Sequence, residues 1–211
     1  MREPVLIFDF GNVVAFFDYL RACERFGRPL GLTGSAFLKR LEERGFAELM
    51  VRFESGSMSA EDFAGRVMEV ADVPLGYGEF VGGWEDIFWI NEPVARLVEQ
   101  LKGGGYRLLL GSNTNILHAT YFRRRFATTI DLFDHLILSY EVGHMKPSGE
   151  FYRACVSAAG VPAASCIFID DLIENVEGAQ RAGLEAVQYV DTPMLIAELQ
   201  RLGVEVPPGQ V

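Results

Sequence analysis

PVLIFDFGN, residues 4–12, opens as an unbroken apolar run, ends that run on the carboxylate of Asp9, and then turns through Gly11 and Asn12. An apolar run without polar alternation describes a strand buried on both faces, the kind found inside parallel sheets. The pattern recurs at RLLLGS (107–112), LILS (136–139), CIFID (166–170) and EAVQYV (185–190). Helical spacing fills the intervals. PVARLVEQLK (93–102) carries Pro93 at a first-helical position and Val94, Leu97, Val98 and Leu101 at steps of three and four. The glycines at 103–105 then stop it. Helices are also expected over 151–159, 172–182 and 193–202, the last with Thr192 as its N-cap. Strands alternating with helices predict an α/β fold: a doubly wound, parallel, five-stranded Rossmann-like sheet. Ligands of such sheets bind beyond the carboxyl ends of the strands.

Residues 15–91 break the rhythm. They carry no buried-strand signal but show helical patterns over 35–49 and 59–70, with Ser59 and Asp62 placed to cap the second. The expected organisation is therefore a discontinuous α/β core, residues 1–14 and 92–211, with a helical insertion of residues 15–91 lying over the strand ends.

Composition narrows the function. Apolar residues make up 49% of the 211-residue chain and charged residues 23%, enough to bury a core without metals or disulfides. A net charge of −10 leaves no excess of cations to neutralise a phosphate backbone, so nucleic acid is excluded as the main partner. Cys23, Cys155 and Cys166 are widely spaced and form no CxxC pair, which suggests neither a zinc site nor a disulfide framework and favours a reducing compartment. Asp9 interrupts the first apolar run too early for a signal peptide, and no stretch approaches the ~18 apolar residues of a membrane helix. A cytoplasmic enzyme is expected.

The chemistry sits at the strand ends. Asp9 follows the first strand, Ser112 the second, Lys146 lies in HMKP after the third, and Asp170-Asp171 close the fourth. Parallel, adjacent strands bring all of them to one sheet edge. Carboxylates packed together repel and resist ionising, and Mg²⁺ relieves this by taking carboxylates together with substrate phosphate oxygens.

The order DFGNV (9–13), LLLGSNT (108–114), KP (146–147) and IDDxxxNxxGA (169–179) resembles the four motifs of the haloacid dehalogenase-like hydrolases. Residues 15–91 look like the first-type cap of that superfamily. FESGSMS (53–59) and GWEDIF (83–88) are similar to its sugar-phosphate phosphatase branch, which includes glucose-1-phosphate phosphatase. The resemblance implies Mg²⁺-dependent hydrolysis of a small phosphorylated metabolite such as a sugar phosphate. Asp9 would be the nucleophile that forms an aspartyl-phosphate, and Lys146 would balance charge beside it. Ser112 and the backbone of Asn113 would hold the phosphoryl oxygens. Asp9, the carbonyl of Gly11, Asp170 and Asp171 would hold the metal.

One position departs from the pattern. Phosphatases of the family place a second Asp, a general acid, two residues after the nucleophile, where this chain has Gly11. An anomeric phosphate needs such an acid less, and Asp18 is one conceivable substitute. Two other readings use the same residues: a metal-independent 2-haloacid dehalogenase working through Asp9, and a catalytically idle phosphatase-like binding protein. The adjacent Asp170 and Asp171 disfavour the first, because paired carboxylates have little use without a cation. Of the histidines, His118 and His135 read as structural or exposed, and His144 as able to reach the site. Asn175 reads as shaping its helix, and the aromatics Phe16, Phe17, Trp84, Phe88 and Trp89 mostly as core of the insertion.

Overall fold

A computed structural model describing residues 3–206 places Val5–Phe8, strand β1, at the centre of a five-stranded sheet. On one side β1 pairs with β4 (Leu108–Ser112), which pairs with β5 (His135–Leu138). On the other it pairs with β6 (Cys166–Asp170), which pairs with β7 (Glu185–Gln188). All four pairings are parallel, as expected of a doubly wound α/β fold.

Burial on both faces explains the continuous apolar runs. Leu6, Phe8, Leu110 and Ile169 enter one core with helices α6 (Glu92–Gly103), α7 (Ile116–Arg125) and α12 (Thr192–Arg201). Ile7, Leu109 and Phe168 enter another with α10 (Gly149–Ala159) and α11 (Ile173–Arg181). Two short helices, α8 (Ala127–Ile130) and α9 (Ser139–Val142), flank β5. The edge strand β7 is shorter than its reading over residues 185–190: it stops at Gln188, and Val187 is its one buried residue, because an edge strand has one open side. The third strand begins at His135, one residue earlier than expected, and Ser139 opens a helix instead of ending the strand. The last helix is capped by Asp191, whose carboxylate accepts the Met194 N–H at 2.8 Å, rather than by Thr192, which is its first residue.

The segment between β1 and α6 begins and ends on strands, not helices. Strand β2 (Ala15–Phe17) pairs antiparallel with β3 (Phe88–Ile90), Phe17 opposite Phe88. Runs this short and half-exposed carry no buried-strand signal. The ribbon draws the two ends of the segment together, and five helices lie between them: α1 (Tyr19–Gly27), α2 (Gly34–Glu42), α3 (Phe46–Glu54), α4 (Ala60–Ala71) and α5 (Tyr77–Glu85). The helix expected over 35–49 is broken in two at Gly45, whose φ of +84° no helix tolerates and few side chains adopt. Ser59 caps α4 as expected, accepting the Asp62 N–H at 3.0 Å. Stacked rings hold these helices together, among them Phe53 on Phe63 at 4.2 Å and Phe80 on Trp84 at 5.7 Å. Phe16 and Trp89 do not join them; they pair at 6.1 Å on the ribbon, with Trp89 exposed. The three cysteines are buried and unpaired, and no described helix is long and apolar enough to cross a membrane.

Candidate active site

The carboxyl ends of β1, β4 and β6 converge. Asp9 continues the β1 ladder by one bond, its N–H donating to Ile169 O at 2.8 Å, so its side chain leaves the sheet where pairing ends. Ser112 and Asp170 are the last residues of the strands on either side. Ligand atoms of Asp9, Asp170 and Asp171 all lie within 4.8 Å of one another.

Lys146 binds this cluster. Its Nζ stands 2.7 Å from Asp9 Oδ1 and 2.7 Å from Asp170 Oδ2, in a position almost without solvent exposure. The loop carrying it is clamped by Asn113, whose Oδ1 accepts the Lys146 N–H at 2.7 Å and whose Nδ2 donates to the Lys146 carbonyl at 3.1 Å. The side chain of Asn113 thus positions the lysine, a role its expected backbone contact with phosphate did not suggest. Asp170 lies behind the cavity, fully enclosed. Its other oxygen accepts the Leu172 N–H at 3.0 Å and the Asn175 amide at 2.9 Å. Asn175 therefore fixes a site carboxylate, besides lining the cavity.

One ammonium faces three carboxylates, and the balance shows in their ionisation. Burial pushes Asp9 up to about 7 against the pull of Lys146, with Asp170 and Asp171 adding to the rise. Burial likewise raises Asp171, opposed by the hydrogen bond from Asn12. Lys146 is held above its ordinary value: burial pulls it down, but Asp9 and Asp170 outweigh burial. The cluster is short of positive charge, and an all-oxygen donor set of this kind suits a hard divalent cation.

Asn12 is the residue that sequence reasoning passed over. Its φ of +56° lies in the left-handed region, where Asn is tolerated better than most residues. That turn lets its Nδ2 donate to Asp171 Oδ2 at 3.1 Å, linking the β1 loop to the β6 loop. An Asn immediately after a strand-ending Asp-x-Gly was the available signal. Gly11 stands between them on the cavity wall, and a Cβ there would lie 2.9 Å from the Phe17 ring.

These residues floor a cavity of about 460 Å³, within the usual size of a small-molecule site. Its outer wall comes from the ribbon and the helices beyond it: Phe17, Tyr19, Met50, Glu54 and Phe88. The aromatics Phe17 and Phe88 therefore line the site instead of only filling the insertion. His118, also on this wall, is buried rather than exposed. Its Nδ1 accepts from the Asn115 amide at 3.0 Å and its Nε2 donates to Trp84 O at 3.3 Å. Burial drives its pKa down to about 3, so the ring is neutral and both nitrogens are committed. Asp18 does not line the cavity; it caps α1, accepting the Leu20 N–H at 2.8 Å. His144 is exposed and does not line it either.

Over residues 5–183 the sequence matches a family described as haloacid dehalogenase-like hydrolase. D-ribitol-5-phosphate phosphatase of Bacteroides thetaiotaomicron is 27% identical over 190 residues, covering 87% of this chain and 90% of that protein. Sesquiterpene phosphatase astK of Aspergillus oryzae is 29% identical over 160 residues, covering 74% and 80%. Among solved structures, a HAD family enzyme of B. thetaiotaomicron in a magnesium complex superposes with a TM-score of 0.77 at 25% identity, covering 92% of this chain and 98% of that one.

Proposed function

The chain belongs to the haloacid dehalogenase-like hydrolase family, and on that premise we propose that it is a Mg²⁺-dependent phosphatase of small phosphate esters, with sugar and polyol phosphates as the substrate class. The observation that carries this reading is the Asp9 carboxylate, held at the end of β1 with Lys146 at 2.7 Å and two further carboxylates within 4.8 Å. A dehalogenase has no use for that acidic surplus. The phosphatases among the relatives, one of them acting on ribitol 5-phosphate by name, support the same class.

Asp9 attacks phosphorus with one carboxylate oxygen, the ester oxygen departs, and water then cleaves the aspartyl-phosphate. Splitting one displacement into two lowers each barrier. Lys146 holds the attacking carboxylate ionised and in place, and Asp170 in turn holds Lys146. Ser112 and the backbone at Asn113 supply donors to the phosphoryl oxygens as charge spreads over them. Asp9, Asp171 and the Gly11 carbonyl, with Asp170 beside them, would hold Mg²⁺, which when bound would supply positive charge to the phosphoryl oxygens. Residues 15–91 act as a cap over the core formed by 1–14 and 92–211, and the aromatic wall they contribute receives the leaving group. The buried, unpaired cysteines support a reducing, cytoplasmic setting.

A panel of phosphate esters, assayed with Mg²⁺ and with EDTA beside Asp9→Asn, tests the proposal. Turnover is expected only with metal, and the variant should lose about 10⁴-fold or more, as loss of a nucleophile does elsewhere. Undiminished hydrolysis in EDTA, halide release from 2-haloacids, or a fully active Asn variant would each overturn it.

A further inference from the structure

We propose that Glu54, at the end of α3, is the general acid that protonates the leaving alcohol, taking the place of the carboxyl that Gly11 cannot provide. This rests on the phosphatase reading and deepens it.

The backbone of Glu54 is tied directly to the catalytic floor. The Ser139 hydroxyl lies 2.6 Å from Glu54 O and 3.0 Å from Thr114 O, and it accepts the Thr114 N–H at 2.9 Å. One hydroxyl therefore locks the end of α3 to the loop that carries Ser112 and Asn113. Gly56, two residues on, seals the contact. Its φ is +72°, and a Cβ there would come within 2.2 Å of Tyr140 O, so the chain lies flat on α9. Glu54 lines the same cavity as Asp9, Gly11 and Lys146, its carboxyl feels the charge of the Lys146 ammonium, and that carboxyl has no hydrogen-bond partner among the described residues.

No neighbour can do the same work. His118 is neutral with both nitrogens committed. Tyr19 is raised well above its ordinary value by burial and by Glu54, which makes it too weak an acid. Lys146 is held between Asp9 and Asp170. Glu54 itself is pushed up to about 7 by burial, with Lys146 opposing, so a large fraction carries a proton at neutral pH. That is the range in which a carboxyl serves as an acid and then as a base.

The protons balance. As the Asp9 oxygen bonds to phosphorus and the P–O ester bond breaks, the Glu54 O–H proton passes to the ester oxygen and the alcohol leaves neutral. Glu54, now a carboxylate, takes a proton from the water that attacks the aspartyl-phosphate, which restores both groups.

The test compares Glu54→Gln and Glu54→Asp with wild type on two substrates with Mg²⁺ present. One is the best alkyl phosphate of the panel; the other is p-nitrophenyl phosphate, whose phenolate leaves without a proton. For Glu54→Gln, kcat on the alkyl ester should fall about 10²–10³-fold and on the aryl ester less than about tenfold, with Glu54→Asp between. Wild-type kcat on the alkyl ester should also decline as pH rises past about 7, as the acid deprotonates, and this limb should vanish in the Gln variant. Equal losses on both esters, or an unchanged alkyl rate, would overturn the assignment while Asp9→Asn and EDTA still kill activity. If wild type hydrolyses no phosphate ester at all, the parent reading falls with it.

Discussion

The two halves of the cavity are built on different rules. At the strand ends the side chains are held by several bonds each: Asp170 accepts from Lys146, Leu172 and Asn175, Asp9 from Lys146 and Phe10, and Asn113 grips Lys146 twice. The opposite wall is aromatic and aliphatic, with Glu54 its lone carboxyl and that carboxyl unbonded. On the phosphatase reading, the first half holds one geometry around a group that never changes, the phosphoryl. The second leaves room for a leaving group that can vary, and pairs it with one acid. Damage to the floor should therefore cost stability and turnover together, while damage to the wall should sort substrates by their leaving groups.

Lys146→Met is the hardest blow to the floor. It leaves Asp9 and Asp170 facing each other without their shared cation in a buried site. Removing one partner of a buried ion pair typically costs about 3–5 kcal/mol, because the remaining charge has no counterpart. Urea unfolding should show a loss of that order, and turnover should fall about 10²–10³-fold on alkyl and aryl esters alike. A variant of undiminished stability would mean the carboxylates do not depend on the ammonium, and the contrast between floor and wall would lose its basis.

Asn12→Ala probes the floor more gently. The substitution removes the 3.1 Å bond to Asp171 and puts Ala into a left-handed turn, a strain of about 1–2 kcal/mol. Asp171 would then be free to swing. Partners that orient a metal ligand are commonly worth 10–100-fold in metal affinity. The Mg²⁺ concentration for half-maximal activity should rise by about that factor, with saturating turnover much less affected. An unchanged Mg²⁺ requirement would remove Asn12 from the metal site's support.

The floor was legible in the sequence because topology alone delivers it. Parallel strands buried on both faces must end on one edge, so Asp9, Ser112, Lys146 and Asp170-Asp171 could be brought together from their order along the chain. The fold class followed from the same apolar runs. What escaped depends on contacts that no local pattern encodes. Asn12 and Asn175 act through side-chain bonds across the site, and Asn113 through a clamp on a loop 33 positions away. The wall was least legible. Three-residue strands carry no periodicity, Gly45 splits what looked like one helix, and Glu54 ends a helix as many surface glutamates do. Its importance comes from where α3 rests on the core.

Ser139→Ala tests that resting place with the smallest change. It removes one hydroxyl, which holds both Glu54 O and the Thr114 backbone and touches no residue of the carboxylate cluster. The freed Thr114 N–H and Glu54 carbonyl cost about 1–3 kcal/mol of stability if they find no other partner. Packing of Gly56 against Tyr140 still keeps α3 near α9, so Glu54 should shift rather than leave. A misplacement below 1 Å costs an acid less than the roughly 10²-fold attached to a full ångström. The alkyl-ester rate should fall about three- to tenfold relative to the aryl-ester rate, a change smaller than for Glu54→Gln but of the same sign. A loss of stability with the ratio of the two rates unchanged would separate the roles. Ser139 would then only brace the fold, and Glu54 would owe its position to the backbone contact at Gly56.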